Sequence, residues 1–472
     1  MSLFALLFAL NASDPSATSD SWPGWRGADG SGVAGGSPPV EWSEDEHVRW
    51  KAALPGKGLS SPIVWENSVF VTTAVGTGKK VDPPPQAEGE RGGGPPRGDG
   101  ERGGPPRGEG EGGRPPRGEG QPQDGDRGPG RGGPGRAPIE EQDFLVLAFE
   151  RASGKELWRK KLATAMPHQG THPDGSYASP TPVTDGKALF VSFGSFGIFA
   201  LSLTGDVLWQ VDLGDMQIQN GFGEGSSPVL WGELVIVTWD HEGDSFVVAL
   251  DKASGKERWR TPRPRGTSWT TPLLVRAKNG TELVVGGTRT VAYDPATGKE
   301  LWHQGEASGR GGAIASPVAI DELVIYATGG RGGGEARGLV AEAAAATDEP
   351  AEPLWSLRLD GPHVPSPLAY EGKVYLLKQD SGMLSVLDPV AGKLDYGPER
   401  LEGVADVYAS LVAAKGHLDV AGRDGTVEVL STWPKIETLA VNKLDDGFDA
   451  SPAIAGDELF LRGKTSLYCI AK

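Results

Sequence analysis

Apolar residues in this chain come in short runs bounded by Gly, Asp, Asn and Pro, and the runs fall into groups of four. The clearest group begins at Thr271. Leu273-Leu-Val275 is a first run, Leu283-Val-Val285 a second, Thr290-Val-Ala-Tyr293 a third and Glu300-Leu-Trp302 a fourth. Runs this short, β-branched and separated by turn formers predict strands. Between the third and fourth stands Asp294-Pro295-Ala-Thr-Gly298-Lys299. Pro295 presets φ for a turn, Gly298 supplies the left-handed position, and the Asp294 carboxylate can accept backbone N–H bonds across the turn. The same turn recurs from Glu150 to Lys155, from Asp251 to Lys256 and from Asp388 to Lys393, and in shortened form from Ser202 to Asp206.

Each group opens with a cue, a small residue pair usually followed by proline. The middle residues of the cues are Ser61, Ser179, Ser227, Thr271, Ser316, Ser366, Ser410 and Ser451, at steps of 118, 48, 44, 45, 50, 44 and 41. A period of about 45 residues with several strands per repeat signals a radial array. The expectation is an all-β, eight-bladed β-propeller of four-stranded antiparallel blades. The last cue is followed by material for three strands only. The missing outer strand is available at His47-Val48-Arg49-Trp50-Lys51, and pairing the two termini removes exposed sheet edges. The fifth and seventh repeats are degenerate, at Ala341 to Ala346 and at Ser431 to Pro434, which keeps seven blades as the fallback count.

A tryptophan follows the turn at Trp158, Trp209, Trp259, Trp302 and Trp355, and Trp50 takes that position in the closing strand. A large ring repeated once per blade predicts packing between neighbouring blades, worth about 1.5–3 kcal/mol each by area. The Ala-x-Asp-x-x-[Thr/Ser]-Gly-Lys-x-x-Trp pattern resembles the pyrroloquinoline-quinone (PQQ) propeller repeat. That repeat is found in quinoprotein dehydrogenases and in BamB-type outer-membrane assembly scaffolds. The resemblance covers 48–472 apart from one insert, and it implies the fold more sharply than any activity.

The insert runs from 80 to 138. Gly and Pro make up 33 of its 59 residues, with Pro-Pro-Arg-Gly starting at Pro95, Pro105 and Pro115. It cannot bury enough apolar surface to offset chain entropy, which predicts disorder. In the expected strand order it hangs over the face that carries the loops leading into the inner strands. Its ten basic and ten acidic residues cancel, so the remainder of the chain carries the whole formal charge of −17. That acidity argues against a nucleic-acid partner, since phosphate binding needs clustered Lys and Arg. The single cysteine, Cys469, lies in an apolar terminal strand and has no internal disulfide partner. The apolar run Met1 to Leu10 followed by Asn11-Ala12-Ser13 reads as a secretory leader within 1–20, although no Lys or Arg precedes it. It is too short to span a bilayer, and no other stretch predicts a membrane helix. A lead-in occupies 21–47. The expected location is periplasmic or otherwise exported.

Propellers bind ligands at the funnel mouth, built from the loops that lead into the inner strands. Mouth candidates are Tyr177, Asn220, Glu224, Trp269, Arg310, His363, Tyr408 and Asp449, with Asp174 and Asp406 nearby. His168 and His172 are weak metal candidates, because Pro167, Gly170 and Pro173 forbid the helix that would align them. Glu224, Asn220 and Asp449 could supply oxygens to a cation. No catalytic residue is assigned, since the Ser residues of the cues are explained by packing. The resemblance implies that a quinoprotein would need an adjacent cysteine pair, calcium, a catalytic carboxylate and long roofing loops, and this chain has one cysteine and short repeats. The expectation is therefore a non-catalytic, monomeric scaffold that binds a cell-envelope protein and carries no cofactor. The alternative is a quinoprotein-type dehydrogenase with PQQ and calcium, or a small-molecule binder at the funnel.

Overall fold

A computed structural model describes residues 20–81 and 139–472, apart from 279, 288, 306–311, 329–333, 342–348 and 360–362. The predicted leader up to 19 and the predicted insert from 82 to 138 lie outside the described residues. Among the described residues there is no α-helix, only strands and three short 3-10 turns.

Eight four-stranded antiparallel sheets follow one another as the blades of a propeller. Blade 1 comprises 63–81 and 139–165, blade 2 183–211, blade 3 229–262 and blade 4 273–304. Blade 5 comprises 318–359, blade 6 368–400 and blade 7 412–443. Blade 8 takes three strands from 453–470 and its fourth from Val48–Ala53. The closing strand pairs antiparallel with Ser466–Ile470, and Trp50 stands opposite Cys469. The count is thus eight, and both degenerate repeats form full blades. In blade 1 the second and third strands, Ser68–Val81 and Ile139–Glu150, are long, at 14 and 12 residues.

The recurring tryptophans face small residues. Trp158, Trp209, Trp259 and Trp302 lie opposite Ala148, Ala200, Ala249 and Ala292 in the adjacent strand. Small partners leave room for the ring, and Cys469 is the small partner of Trp50. Five rings also donate their indole N–H to the turn of the next blade: Trp50 to Arg151 O, Trp158 to Leu203 O, Trp209 to Lys252 O, Trp259 to Pro295 O and Trp355 to Pro389 O, at 2.7–3.1 Å. The turn glycine sits on the same ring. Gly298, at φ +71°, would place a Cβ 2.4 Å from Trp259 Cε3, so its left-handed backbone and its missing side chain serve one contact. Trp302 differs and donates to the buried Glu282 within its own blade.

Seven hydrogen bonds link the eight cues from one blade to the next. Ser61 N donates to Thr181 Oγ1, Thr181 N to Ser227 Oγ, Ser227 N to Thr271 Oγ1 and Thr271 N to Ser316 Oγ. Ser316 N donates to Ser366 Oγ, Ser366 N to Ser410 Oγ and Ser410 N to Ser451 Oγ. In blade 2 the linking hydroxyl belongs to Thr181, whereas the sequence register places Ser179 there. A second small-small-proline-like stretch, Ser179-Pro180-Thr181-Pro182, offers two alignments. Only the one that reaches both neighbours satisfies the buried N–H groups.

The lead-in makes a circuit across the inner strands. Trp22 exchanges backbone hydrogen bonds with Val64 of blade 1, and Pro23 O accepts from Thr184 N of blade 2. A Cβ on Gly30 would meet Leu273 of blade 4, and one on Gly32 would meet Leu368 of blade 6. Val33–Ala34 then adds a parallel fifth strand to the first strand of blade 7, and Ser37 N donates to Asp457 of blade 8. Further on, Trp42 N donates to Asn442 Oδ1, and Trp42 joins the core shared by blades 7, 8 and 1. Blade 7 has Ala440 at the tryptophan register, opposite Val429, and the lead-in brings a tryptophan to that core.

Candidate functional site

The loops leading into the first strands meet on one face and hold one another in place. One of the two longest runs from blade 1 to blade 2 and includes 166–177. His168 Nε2 bonds Met216 O at 2.7 Å, and Tyr177 Oη donates to Gln169 O at 3.0 Å. His172 N donates to Phe222 O, and the two rings meet edge to face at 5.0 Å. Asn220 adopts φ 55° in loop 212–228, which leads into blade 3. Trp269 Nε1 donates to Gly223 O at 2.7 Å, which ties the loop before blade 4 to the one before blade 3.

The far end of loop 166–177 reaches blade 7, where Arg423 gathers three carboxylates. Its Nε bonds Asp449 at 2.7 Å, its Nη1 bonds Asp406 at 3.2 Å and its Nη2 bonds Asp174 at 2.8 Å. The guanidinium carbon lies 3.8 Å from the Tyr408 ring centroid, and Tyr408 Oη donates to Asp174 at 3.3 Å. The planar fork of arginine allows all of these at once. The hydrogen bond from Arg423 holds the Asp174 carboxyl below its ordinary value. Arg423→Met leaves the three carboxylates to repel and should free the loop. Hydrogen exchange at the backbone amides of 168–177 should accelerate about tenfold, equivalent to roughly 1.4 kcal/mol of local opening, while exchange in the blade strands stays unchanged. Equal acceleration everywhere would mean that the cluster supports the whole ring rather than the loop.

Glu224 forms a second centre, between blades 2 and 3. Ser195 N donates to its Oε2 at 2.8 Å and Ser195 Oγ to its Oε1 at 2.5 Å. Burial raises the carboxyl to about 7, against the opposing pull of those two hydrogen bonds and of His168. A cavity of about 20 Å³ is bordered by Glu224, Tyr177, His168 and Phe196. A second, of about 10 Å³, is bordered by Glu224, Met216, Trp239 and Ser268. Each has room for about one water. Beneath this face Arg263 is bonded twice to Asp240, at 2.7 and 3.0 Å, and once to Tyr293 at 2.9 Å, all buried. These contacts brace blade 3 against blade 4.

Five of the eight predicted mouth residues fall into two groups. Tyr408 and Asp449 meet in the Arg423 cluster, together with Asp174 and Asp406. Tyr177 and Glu224 share a cavity wall, with Trp269 beside them. His363 is half-buried in the loop before blade 6, and Arg310 lies outside the described residues. His168 and His172 bond backbone atoms of separate loop turns. Among the described residues no group of three or more His, Cys, Asp or Glu is placed to hold a metal ion. Arg423 and Ser195 escaped the sequence reading. Both sit in tight turns after the second strand, where nothing local marks them.

A family model described as "Outer membrane protein assembly factor BamB", a PQQ-repeat model, matches residues 142–350 and 288–413, more than half of the chain. The chain belongs to this PQQ-repeat propeller family. Among solved structures it is similar to the quinohemoprotein alcohol dehydrogenase of Comamonas testosteroni, at 12% identity and a TM-score of 0.58. That match covers 97% of this chain and 81% of the other. The quinohemoprotein alcohol dehydrogenase ADHIIG of Pseudomonas putida HK5 matches at 11% and 0.55, covering 96% and 80%. BamB of Moraxella catarrhalis matches at 15% and 0.48, covering 70% and 89%. At these identities the likeness concerns the fold alone. No curated protein matches the chain. Among the described residues no helix is long and apolar enough to cross a membrane.

Proposed function

We propose that this propeller is a non-catalytic, BamB-like scaffold that binds another protein in the bacterial cell envelope, exported and acting as a monomer. The observation that carries this reading is the mouth itself. Loop 166–177 crosses it and is fastened to blade 7 through Asp174, Arg423 and Tyr408. The cavities beside Glu224 are water-sized. What the face offers is a rigid outer surface, with Phe222 exposed and charged groups around it, and rigid loops on a closed ring suit protein contact.

In the same reading the mouth does not take PQQ with calcium. The quinone is far larger than either cavity, and of the mouth carboxylates Asp174, Asp406 and Asp449 are held by Arg423 while Glu224 is buried and bonded by Ser195. A small molecule at the mouth is the second reading. It is favoured by the Glu224 carboxyl, which titrates near neutrality beside both cavities.

Two measurements test the proposal. Titration of the full chain with PQQ and Ca²⁺, followed by absorbance and thermal shift, should show no saturable binding at tens of micromolar. A photo-crosslinking residue in place of Phe222 should trap one discrete protein in intact envelopes. Micromolar, calcium-dependent quinone binding would overturn the scaffold reading and direct attention to alcohol oxidation.

A further inference from the structure

Glu224 borders both mouth cavities, and among the described residues that surround them there is no lysine or arginine. Its carboxyl accepts from Ser195 N and Ser195 Oγ, which occupies two of the roughly four acceptor positions of a carboxylate. The titratable groups around it are His168 and Tyr177 of loop 166–177 and Asp215 of its own loop. Across the smaller cavity stands Asp240, which Arg263 holds. The protein thus brings no lysine or arginine of its own to this carboxyl.

The larger cavity, of about 20 Å³, has the wall of a cation site. Tyr177 Oη is committed to Gln169 O and His168 Nε2 to Met216 O. What the wall leaves are acceptor positions on Glu224 and the rings of Tyr177, Phe193 and Phe196. Tyr177 and Phe196 meet edge to face, with centroids 6.3 Å apart. Aromatic faces carry negative potential and attract cations. His168, Tyr177, Phe196 and Glu224 are each half-buried, so the cavity borders the surface. Its volume admits a group about the size of one water, which fits an –NH3⁺ head and shuts out a quaternary ammonium. A divalent metal would need several hard oxygen ligands, and among the described residues no group of three or more His, Cys, Asp or Glu is placed to supply them.

We propose that the cavity between Glu224, Tyr177, His168 and Phe196 is a subsite for one primary ammonium group, carried by a free alkylamine or by a lysine side chain of a bound protein. Glu224 pairs with the charge and the rings enclose it. The inference rests on the mouth as the working face, and its lysine arm rests on the scaffold reading. Binding needs the ionised carboxyl. Because that carboxyl titrates at about 7 in the folded protein, ammonium binding displaces a proton below this pH. Affinity therefore rises with pH up to about 7 and is flat above it.

Methylammonium is the probe. At pH 8 the thermal midpoint of the full chain should rise with methylammonium chloride relative to sodium chloride at equal ionic strength. A tenfold excess over Kd should give about 2 °C. Tetramethylammonium should give no rise, and at pH 5, where Glu224 is protonated, methylammonium should give none either. Glu224→Gln should lose the effect at pH 8. Should that variant fail to fold, the wild-type comparisons of the two cations and the two pH values still decide the matter. Nα-acetyl-lysine methylamide separates the sources. Binding tenfold tighter than methylammonium assigns the subsite to a protein's lysine, and equal binding assigns it to a free amine. No rise with methylammonium, an equal rise with tetramethylammonium, or an undiminished rise in Glu224→Gln would sink the proposal. A partner trapped at Phe222 without any methylammonium effect would keep the scaffold reading and end this one.

Discussion

Trp50→Ala should lower the unfolding free energy by about 3–5 kcal/mol, the range for emptying a buried aromatic site. Trp50 is 7% exposed, its indole N–H donates to Arg151 O at 2.8 Å, and Gly154 is seated against its ring. The same contacts recur at the other blade junctions, but this one differs in connectivity. The strand that carries Trp50 is the only piece of blade 8 contributed by the N-terminal side, through its pairing with Ser466–Ile470. Losing the ring therefore weakens the joint at which the circle is closed, and fraying can begin there. Urea denaturation followed by tryptophan fluorescence checks the magnitude. Leu157→Ala is the control, since Leu157 is 47% exposed on an outer strand and its loss should cost no more than about 0.5 kcal/mol. Equal effects of the two would show that the closing strand contributes nothing special.

The blades were legible because their signals are local. A turn, a glycine at positive φ and a tryptophan a few residues later repeat within each unit, and each contact they make reaches one neighbour at a separation of about one repeat. Trp209 to Lys252 and Trp259 to Pro295 span 43 and 36 residues. Closure was legible as well, because a three-stranded last unit demands a fourth strand from somewhere. The lead-in was not legible. Asn442 Nδ2 bonds Val40 O across 402 residues, and no spacing in the sequence announces that Trp42 packs where blade 7 has Ala440. Nor does any pattern announce that Arg26 is buried, which only the assembled ring brings about. At the mouth, chain order placed Tyr408 and Asp449 on adjoining loops, but the residue that unites them, Arg423, comes from a strand turn that resembles any other. Thr181 shows the limit within the repeat itself. Two adjacent small-residue pairs fit the cue equally, and only the hydroxyl's bond to the next blade selects between them.

Glu224→Gln should stabilise the protein above neutrality and leave it unchanged in mild acid. The Glu224 carboxyl titrates near 7 in the folded protein, against about 4.3 for a free glutamate in the unfolded chain. The folded state thus holds a proton that the unfolded state has released. The stability associated with that proton is complete below pH 4.3, declines as pH rises towards 7 and is gone above it. At about 1.4 kcal/mol for each pH unit, wild type should lose at most about 4 kcal/mol across this window through Glu224. Glutamine keeps the shape and an acceptor for Ser195 N, and it carries no charge at any pH. The two proteins should melt together at about pH 4, and the variant should melt higher at pH 8. The difference should develop between about pH 4 and 7, and the remaining titrations in that range are common to both proteins. A constant offset would assign the effect to altered hydrogen bonding at Ser195 instead of to the proton. The same variant bears on the mouth, because a carboxyl that ionises near neutrality would change the charge beside both cavities over the physiological range. If Glu224→Gln leaves capture of the envelope partner intact at pH 6 and pH 8, the contact surface lies outside the Glu224 cavities and on the outer loops around Phe222.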